Sequence, residues 1–199
     1  MRDVLHVGCG SSTIAAMPRG FQDGGWRELR FDIDPTYSPD FIGTMLDMQA
    51  VASDSVDALY SSHNIEHVYA HEVQIVLREF RRVLKPDGFA IVTCPDIVPI
   101  ARHIAEGRIE EPLYQSPSGP IFALDVIYGH AAAIRRGEAH MAHRTGFSQR
   151  TLGLNGQAAG FARLAVKARS DKFDLWMVAT KSQISDEKMA EMLTLYTKP

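Results

Sequence analysis

Between Glu72 and Cys94 the chain passes from one hydrophobic period to another with almost no loop between them, and this passage limits the fold most. Apolar residues fall at Val73, Val76, Leu77, Phe80, Val83 and Leu84, the 3.6-residue spacing of a helix with one buried face. Arg81, Arg82 and Lys85 occupy its last turns, where positive charge complements the helix dipole. Pro86-Asp87-Gly88 breaks this helix, expected over 72–85, and the run FAIVTC at 89–94 reads as a buried strand. A helix feeding an apolar strand is half of a βαβ unit, whose crossover in a parallel sheet is right-handed.

Other runs extend the same pattern. Residues 3–7 (DVLHV) read as a buried strand, broken at once by Gly8-Cys9-Gly10-Ser11-Ser12, and 13–17 as a short helix. Residues 28–33 (ELRFDI) form a second expected strand, stopped by Asp34-Pro35, with a third at 41–46 and a fourth at 56–61. After Asp96 the alternation lapses, apart from a helix expected around 121–135. It returns as a helix at 149–159, strand-like runs at 163–168 and 175–180, and a helix at 185–196. Strands alternating with helices give an α/β class with a mostly parallel sheet. At 199 residues the chain suits one domain over 1–199, with an inserted substrate-cover segment at about 97–147.

Composition narrows the function. With 21 Lys and Arg against 24 Asp and Glu, the net charge is −3, which supplies no basic field for nucleic acid. No apolar run reaches the roughly 18 residues of a membrane span, and the N-terminus lacks the layout of a signal peptide. Cys9 and Cys94, each ending an apolar run, read as reduced thiols. A cytoplasmic protein is expected.

The loops that leave the strands carry the chemistry. A Gly-x-Gly turn straight after a strand, here Gly8 and Gly10, lets a ligand approach the backbone. The third glycine of a dinucleotide fingerprint is missing, since position 13 is Thr. Asp32 ends the second strand, where a carboxylate accepts from ribose hydroxyls. Asp34 either shares that task or caps the Asp-Pro turn. Asp47 follows the third strand and is placed to accept from an adenine amine, with Met48 flanking the ring.

Taken in order, VLHVGCGSS, FDIDP, LDMQAV, HNIEHV and LREFRRVLKPDGFAIVTCPD resemble the class I S-adenosylmethionine-dependent methyltransferases. They are most similar to the group typified by ubiquinone-biosynthesis methyltransferases. The resemblance covers 3–96 and returns weakly in HRTGFSQRTLGLNGQAAGF. It implies a Rossmann-like doubly wound sheet, mostly parallel with an antiparallel last strand and helices on both faces. It also implies S-adenosylmethionine as cofactor, with Gly8, Cys9 and Gly10 at its methionine part, Asp32 at the ribose, Asp47 at the adenine amine, and Ser62 and His63 alongside. Two positions depart from the pattern: His6 stands where an acid is common, and Ser12 replaces a usual third glycine. The chain begins almost at its first strand, so the inserted segment or a second subunit is expected to cover the site.

Methyl transfer needs alignment more than a fixed catalytic set, with a base required only where the acceptor loses a proton. His67, in the loop after strand four, and His143, in the cover, are the candidate catalytic residues. Tyr114, Tyr128, His130 and His140 share the cover. A His pair with Glu66 also suits a divalent ion, with His143 completing the set, but a packed loop explains the same residues and no metal is assigned. The expected function is methylation of a small molecule, with oxygen the favoured acceptor, and a homodimer is open. The competing readings are a non-catalytic S-adenosylmethionine-binding sensor or scaffold, and a nicotinamide enzyme using the same turn.

Overall fold

A computed structural model describes residues 1–116 and 119–197. Among the described residues nine strands and six α-helices follow in order: β1 (Arg2–Val7), β2 (Trp26–Asp32), β3 (Phe41–Ile42), β4 (Val56–Ser62), α1 (Val73–Val83), β5 (Leu84–Pro95), α2 (Ile97–Ala105), β6 (Pro112–Ser116), β7 (Gly119–Phe122), α3 (Ala123–Tyr128), α4 (Ala131–Arg135), α5 (Gln149–Ala158), β8 (Arg163–Arg169), β9 (Asp174–Thr180) and α6 (Asp186–Tyr196). Seven strands form one sheet in the order β3-β2-β1-β4-β5-β9-β8. All pairings from β3 to β5 are parallel, and β9 runs antiparallel to both of its neighbours. This is the Rossmann-like α/β sheet expected, with its last strand in sequence reversed.

Both faces of the sheet are covered, and the strands alternate between them as a period of two requires. Leu5, Val7 and Leu59 pack on one side with Val76, Leu77 and Phe80 of α1 and Leu152 of α5. Val4, Ala58 and Tyr60 face the other side, against Phe21, Trp26 and the α6 residues Met189, Met192 and Tyr196. On that second side the connection from β1 to β2 contains only the 3-10 turns Ile14–Ala16 and Arg19–Phe21, where a short helix was expected. Pro18 and Gly20 interrupt the segment before an α-helix can propagate.

Other departures have equally local causes. The Pro86-Asp87-Gly88 break lies inside β5, not before it: Val56 of β4 pairs with Leu84 and Ala58 with Phe89, so the intervening residues bulge out of register. The third strand shrinks to Phe41–Ile42. Helix α2 is an addition. Its sequence IVPIARHIA hides behind Pro99, but Pro99 lies in the first turn, where the amide has no intrahelical partner to lose. Asp96 caps it by accepting from Val98 N at 3.0 Å. The helix expected around 121–135 divides into α3 and α4, preceded by the antiparallel pair β6–β7.

Two features of the topology position the site. The chain leaves β1 toward β2 and β3, then returns to β4 on the other side of β1. This makes a switch point at which ligands of open α/β sheets settle, beyond the strand C-termini. The segment between β5 and α5 also begins and ends side by side, with Ile97 N donating to Phe147 O at 3.0 Å. It encloses a small core of Ile100, Ala123 and Val126.

Candidate active site

The turn after β1 is held from two sides. Gly8 has φ +66° and Gly10 φ +50°, the left-handed region that glycine enters without strain. Gly8 N donates to Phe31 O at 2.8 Å, and Gly10 N donates to Asp32 Oδ2 at 2.7 Å. Asp34 N donates to Asp32 Oδ1 at 2.9 Å. Asp32 is buried and its carboxylate therefore ties the end of β2 to the glycine turn. A carboxylate has about four lone-pair sites, so each oxygen keeps capacity for a hydroxyl. From the other side Asn64 Nδ2 donates to Val7 O at 2.9 Å and Ser62 O at 3.0 Å. A Cβ on Gly8 would fall 2.1 Å from Asn64 Oδ1. Asn64 escaped sequence reasoning because an Asn inside a loop carries no periodic signal.

His6, the first departure from the family pattern, is buried with Nδ1 2.7 Å from Glu28 Oε1. Burial lowers its pKa more than the Glu28 carboxylate raises it. Glu28 Oε2 in turn accepts from Ile14 N at 2.8 Å, so the pair braces the segment beyond the glycine turn. Cys9 is buried and its thiol is pushed up by that burial, which disfavours the nucleophilic thiolate.

The remaining expected cofactor residues separate by environment. Asp34 accepts from Thr36 N at 2.8 Å, as the cap of the Pro35–Tyr37 turn, and those hydrogen bonds lower its pKa. Asp47 is exposed at the end of the β3 loop. Met48, expected beside a ring, is instead fully buried in the core with Phe31 and Val51, because its backbone is fixed: Met48 N donates to Glu79 Oε2, and Met48 O accepts from Arg82 Nη2, each at 2.9 Å. Ser62 Oγ and Thr93 Oγ1 share a hydrogen bond of 2.9 Å across β4 and β5.

Beyond β4 a cavity of about 290 Å³ opens, walled by the cover and by the β8–β9 turn. His63, at φ +54°, enters it with its Nδ1 3.4 Å from Glu66 Oε1. About half of the His63 side-chain surface is open to solvent. Burial there lowers the imidazole pKa, the neighbouring Glu66 carboxylate outweighs it, and the net shift is upward. Burial raises the Glu66 carboxyl, and His63 and His67 reverse this to a net lowering.

His67 and His143, far apart in sequence, meet here with ring centroids 4.9 Å apart in an edge-on arrangement. His67 Nδ1 lies 3.2 Å from Ala142 O, and His143 Nδ1 lies 2.7 Å from Val126 O. Since a carbonyl only accepts, both Nδ1 atoms carry a proton, which leaves the lone pair of each neutral ring on Nε2. Burial lowers the His67 pKa. Tyr114 and His130, expected in the cover, line the cavity, as do Asp125, Lys172 and Phe173. Lys172 had no sequence signal, being the tip of a hairpin that only the fold brings to this edge.

Comparison with known proteins agrees with this fold. Residues 5–92 match the family model described as a methyltransferase domain. No curated protein sequence matches the chain. Among solved structures, a Pyrococcus horikoshii protein superposes with TM-score 0.60 and 15% identity, over 91% of this chain and 82% of that one. The Burkholderia thailandensis 1,6-didemethyltoxoflavin-N1-methyltransferase, solved with its substrate and S-adenosylhomocysteine, gives 0.55 and 15%, over 92% and 72%. A possible exported protein of Bordetella parapertussis gives 0.57 and 17%, over 92% of this chain but only 62% of its own length. The matched segment spans the glycine turn, Asp32 and α1, and over nearly the whole chain the fold is that of these solved neighbours.

Proposed function

We propose that the chain transfers the methyl group of S-adenosylmethionine to a small molecule, with oxygen as the acceptor atom. The observation that carries this reading is the Gly8–Gly10 turn clamped by the Asp32 carboxylate at the β1/β4 switch point, beside a separate cavity lined by His67 and His143. Gly8, Cys9 and Gly10 would meet the methionine part of the donor, Asp32 and Asp34 its ribose, and Asp47 its adenine. Ser62 and His63 would stand between donor and acceptor. An acceptor oxygen attacks the methyl carbon, the carbon–sulfur bond breaks, its electron pair stays on sulfur, and the acceptor proton departs. His67 and His143 assist that loss.

The cavity of about 290 Å³ and the net charge of −3 favour a small acceptor over nucleic acid, and no described helix is long and apolar enough to cross a membrane. We place the protein in the cytoplasm and read residues 1–199 as one domain, with 97–147 as its cover. A second copy of the chain is a candidate partner at an exposed sheet edge.

A thermal-shift comparison tests the donor site. S-adenosylhomocysteine at a hundred times its Kd is expected to add about 2.7 kcal/mol, a rise of several degrees for a chain of this size. NAD is expected to add nothing, and stabilisation by NAD alone would overturn the reading.

A further inference from the structure

We infer that Glu66, His67 and His143 form a binding site for a divalent transition-metal ion, with zinc the best match, and that His63 stands outside its ligand set. Three observations converge. One ligand atom from each of the three residues lies within 4.8 Å of the others. The Glu66 side chain is 2% exposed, and neither carboxylate oxygen accepts a hydrogen bond among the described residues. An ionised carboxylate is expensive to bury without compensation, and His63 Nδ1 at 3.4 Å is a distant partner. Thirdly, both imidazoles donate through Nδ1 to main-chain carbonyls, Ala142 O and Val126 O. This is the outer-sphere arrangement that fixes a ring and presents the Nε2 lone pair to a metal.

The donor set selects the ion. Two imidazoles and one carboxylate suit zinc and its first-row neighbours better than magnesium or calcium, which prefer all-oxygen shells. Three protein ligands leave a coordination position open, as in catalytic centres and unlike closed structural ones. The three ligand residues line the cavity shared with Tyr114 and Lys172. On this assignment the two histidines meet the acceptor through an ion that lowers the pKa of its hydroxyl; only this consequence rests on the proposed methylation. His143 comes from the cover and Glu66 and His67 from the β4 loop, so the ion also pins the cover shut.

Full-length protein freed of metal with a chelator and titrated with Co²⁺, without methyl donor, separates metal binding from methyl transfer. The expected result is a visible ligand-field spectrum that saturates at one ion per chain and is displaced by Zn²⁺. Glu66→Gln and His143→Gln are each expected to weaken Co²⁺ by more than the roughly 10–100-fold that loss of a supporting partner costs. His130→Ala, in the same cavity wall, and His63→Ala are expected to retain the spectrum. Circular dichroism checks each variant, and the wild-type titration stands even if one fails to fold. Absence of a saturable spectrum in the wild type overturns the site, as does a spectrum unchanged in both ligand variants.

Discussion

Gly8→Ala is expected to cost about 4 kcal/mol of stability and to remove binding of the methyl donor, whereas Gly10→Ala should cost only about 1 kcal/mol. Both glycines have positive φ, so an added methyl group strains either backbone by roughly 1–2 kcal/mol. They differ in what the methyl group meets. At Gly10 no atom lies within 4 Å of the added Cβ, while at Gly8 it falls 2.1 Å from Asn64 Oδ1 and 2.4 Å from Asn64 Cγ. Asn64 cannot simply move, because its amide bonds Val7 O and Ser62 O. Displacing it forfeits those bonds at about 1 kcal/mol each and disturbs the ends of β1 and β4, between which the proposed donor site lies. Denaturant unfolding of the two variants, with calorimetry for the donor product, reads both effects. Equal costs at the two positions would show that Asn64 does not brace the turn.

Arg82→Leu should lower stability by about 2 kcal/mol and loosen the loop that carries Asp47. The helix-dipole role expected from its place in the last turn of α1 is the smaller part of what this residue does. Its guanidinium donates to Glu79 through Nε and Nη2 at 2.7 and 2.8 Å, to Val51 O at 3.0 Å, to Ser53 Oγ at 3.1 Å and to Met48 O at 2.9 Å. Glu79, so held, accepts from Met48 N, and its pKa is lowered chiefly by Arg82. Charged hydrogen bonds contribute about 1.5–3 kcal/mol when sheltered; the Arg82 side chain is about a third exposed, so solvent screening reduces the sum. Arg82→Lys should recover little, since an ammonium lacks the planar fork. Hydrogen exchange at 47–53 should accelerate in Arg82→Leu while β1 and β4 stay protected. Uniform acceleration would point to global destabilisation and not to a local clamp.

These two positions show where the sequence was readable. The glycine turn and Asp32 stand at strand ends, and an apolar run stopped by Gly or Asp-Pro can be read within a short window. The same holds for α1, whose period is strong enough to place it within two residues. Arg82 shows the limit: its position on the helix was visible, but its partners belong to a loop about 30 residues earlier, within reach only once the sheet is built. Helix α2 was obscured by Pro99, a residue that reads as a breaker unless its place in the first turn is known. The cavity was the least legible part. Glu66 and His67 sit in one loop, but His143 reaches them because the cover folds back so that Arg144 N meets Glu66 O at 2.8 Å. Lys172 arrives on a third element. Convergence of distant loops leaves no periodic trace.

The account depends most on a nucleoside being gripped where β1, β2 and β3 end. Isothermal titration with S-adenosylhomocysteine, on the wild type and on Asp32→Ala, tests this directly. The expected result is one site per chain, weakened about 10–100-fold in Asp32→Ala, which corresponds to the roughly 1.5–3 kcal/mol of a charged hydrogen bond. A wild-type titration without heat, or an isotherm that Asp32→Ala leaves unchanged, would contradict it.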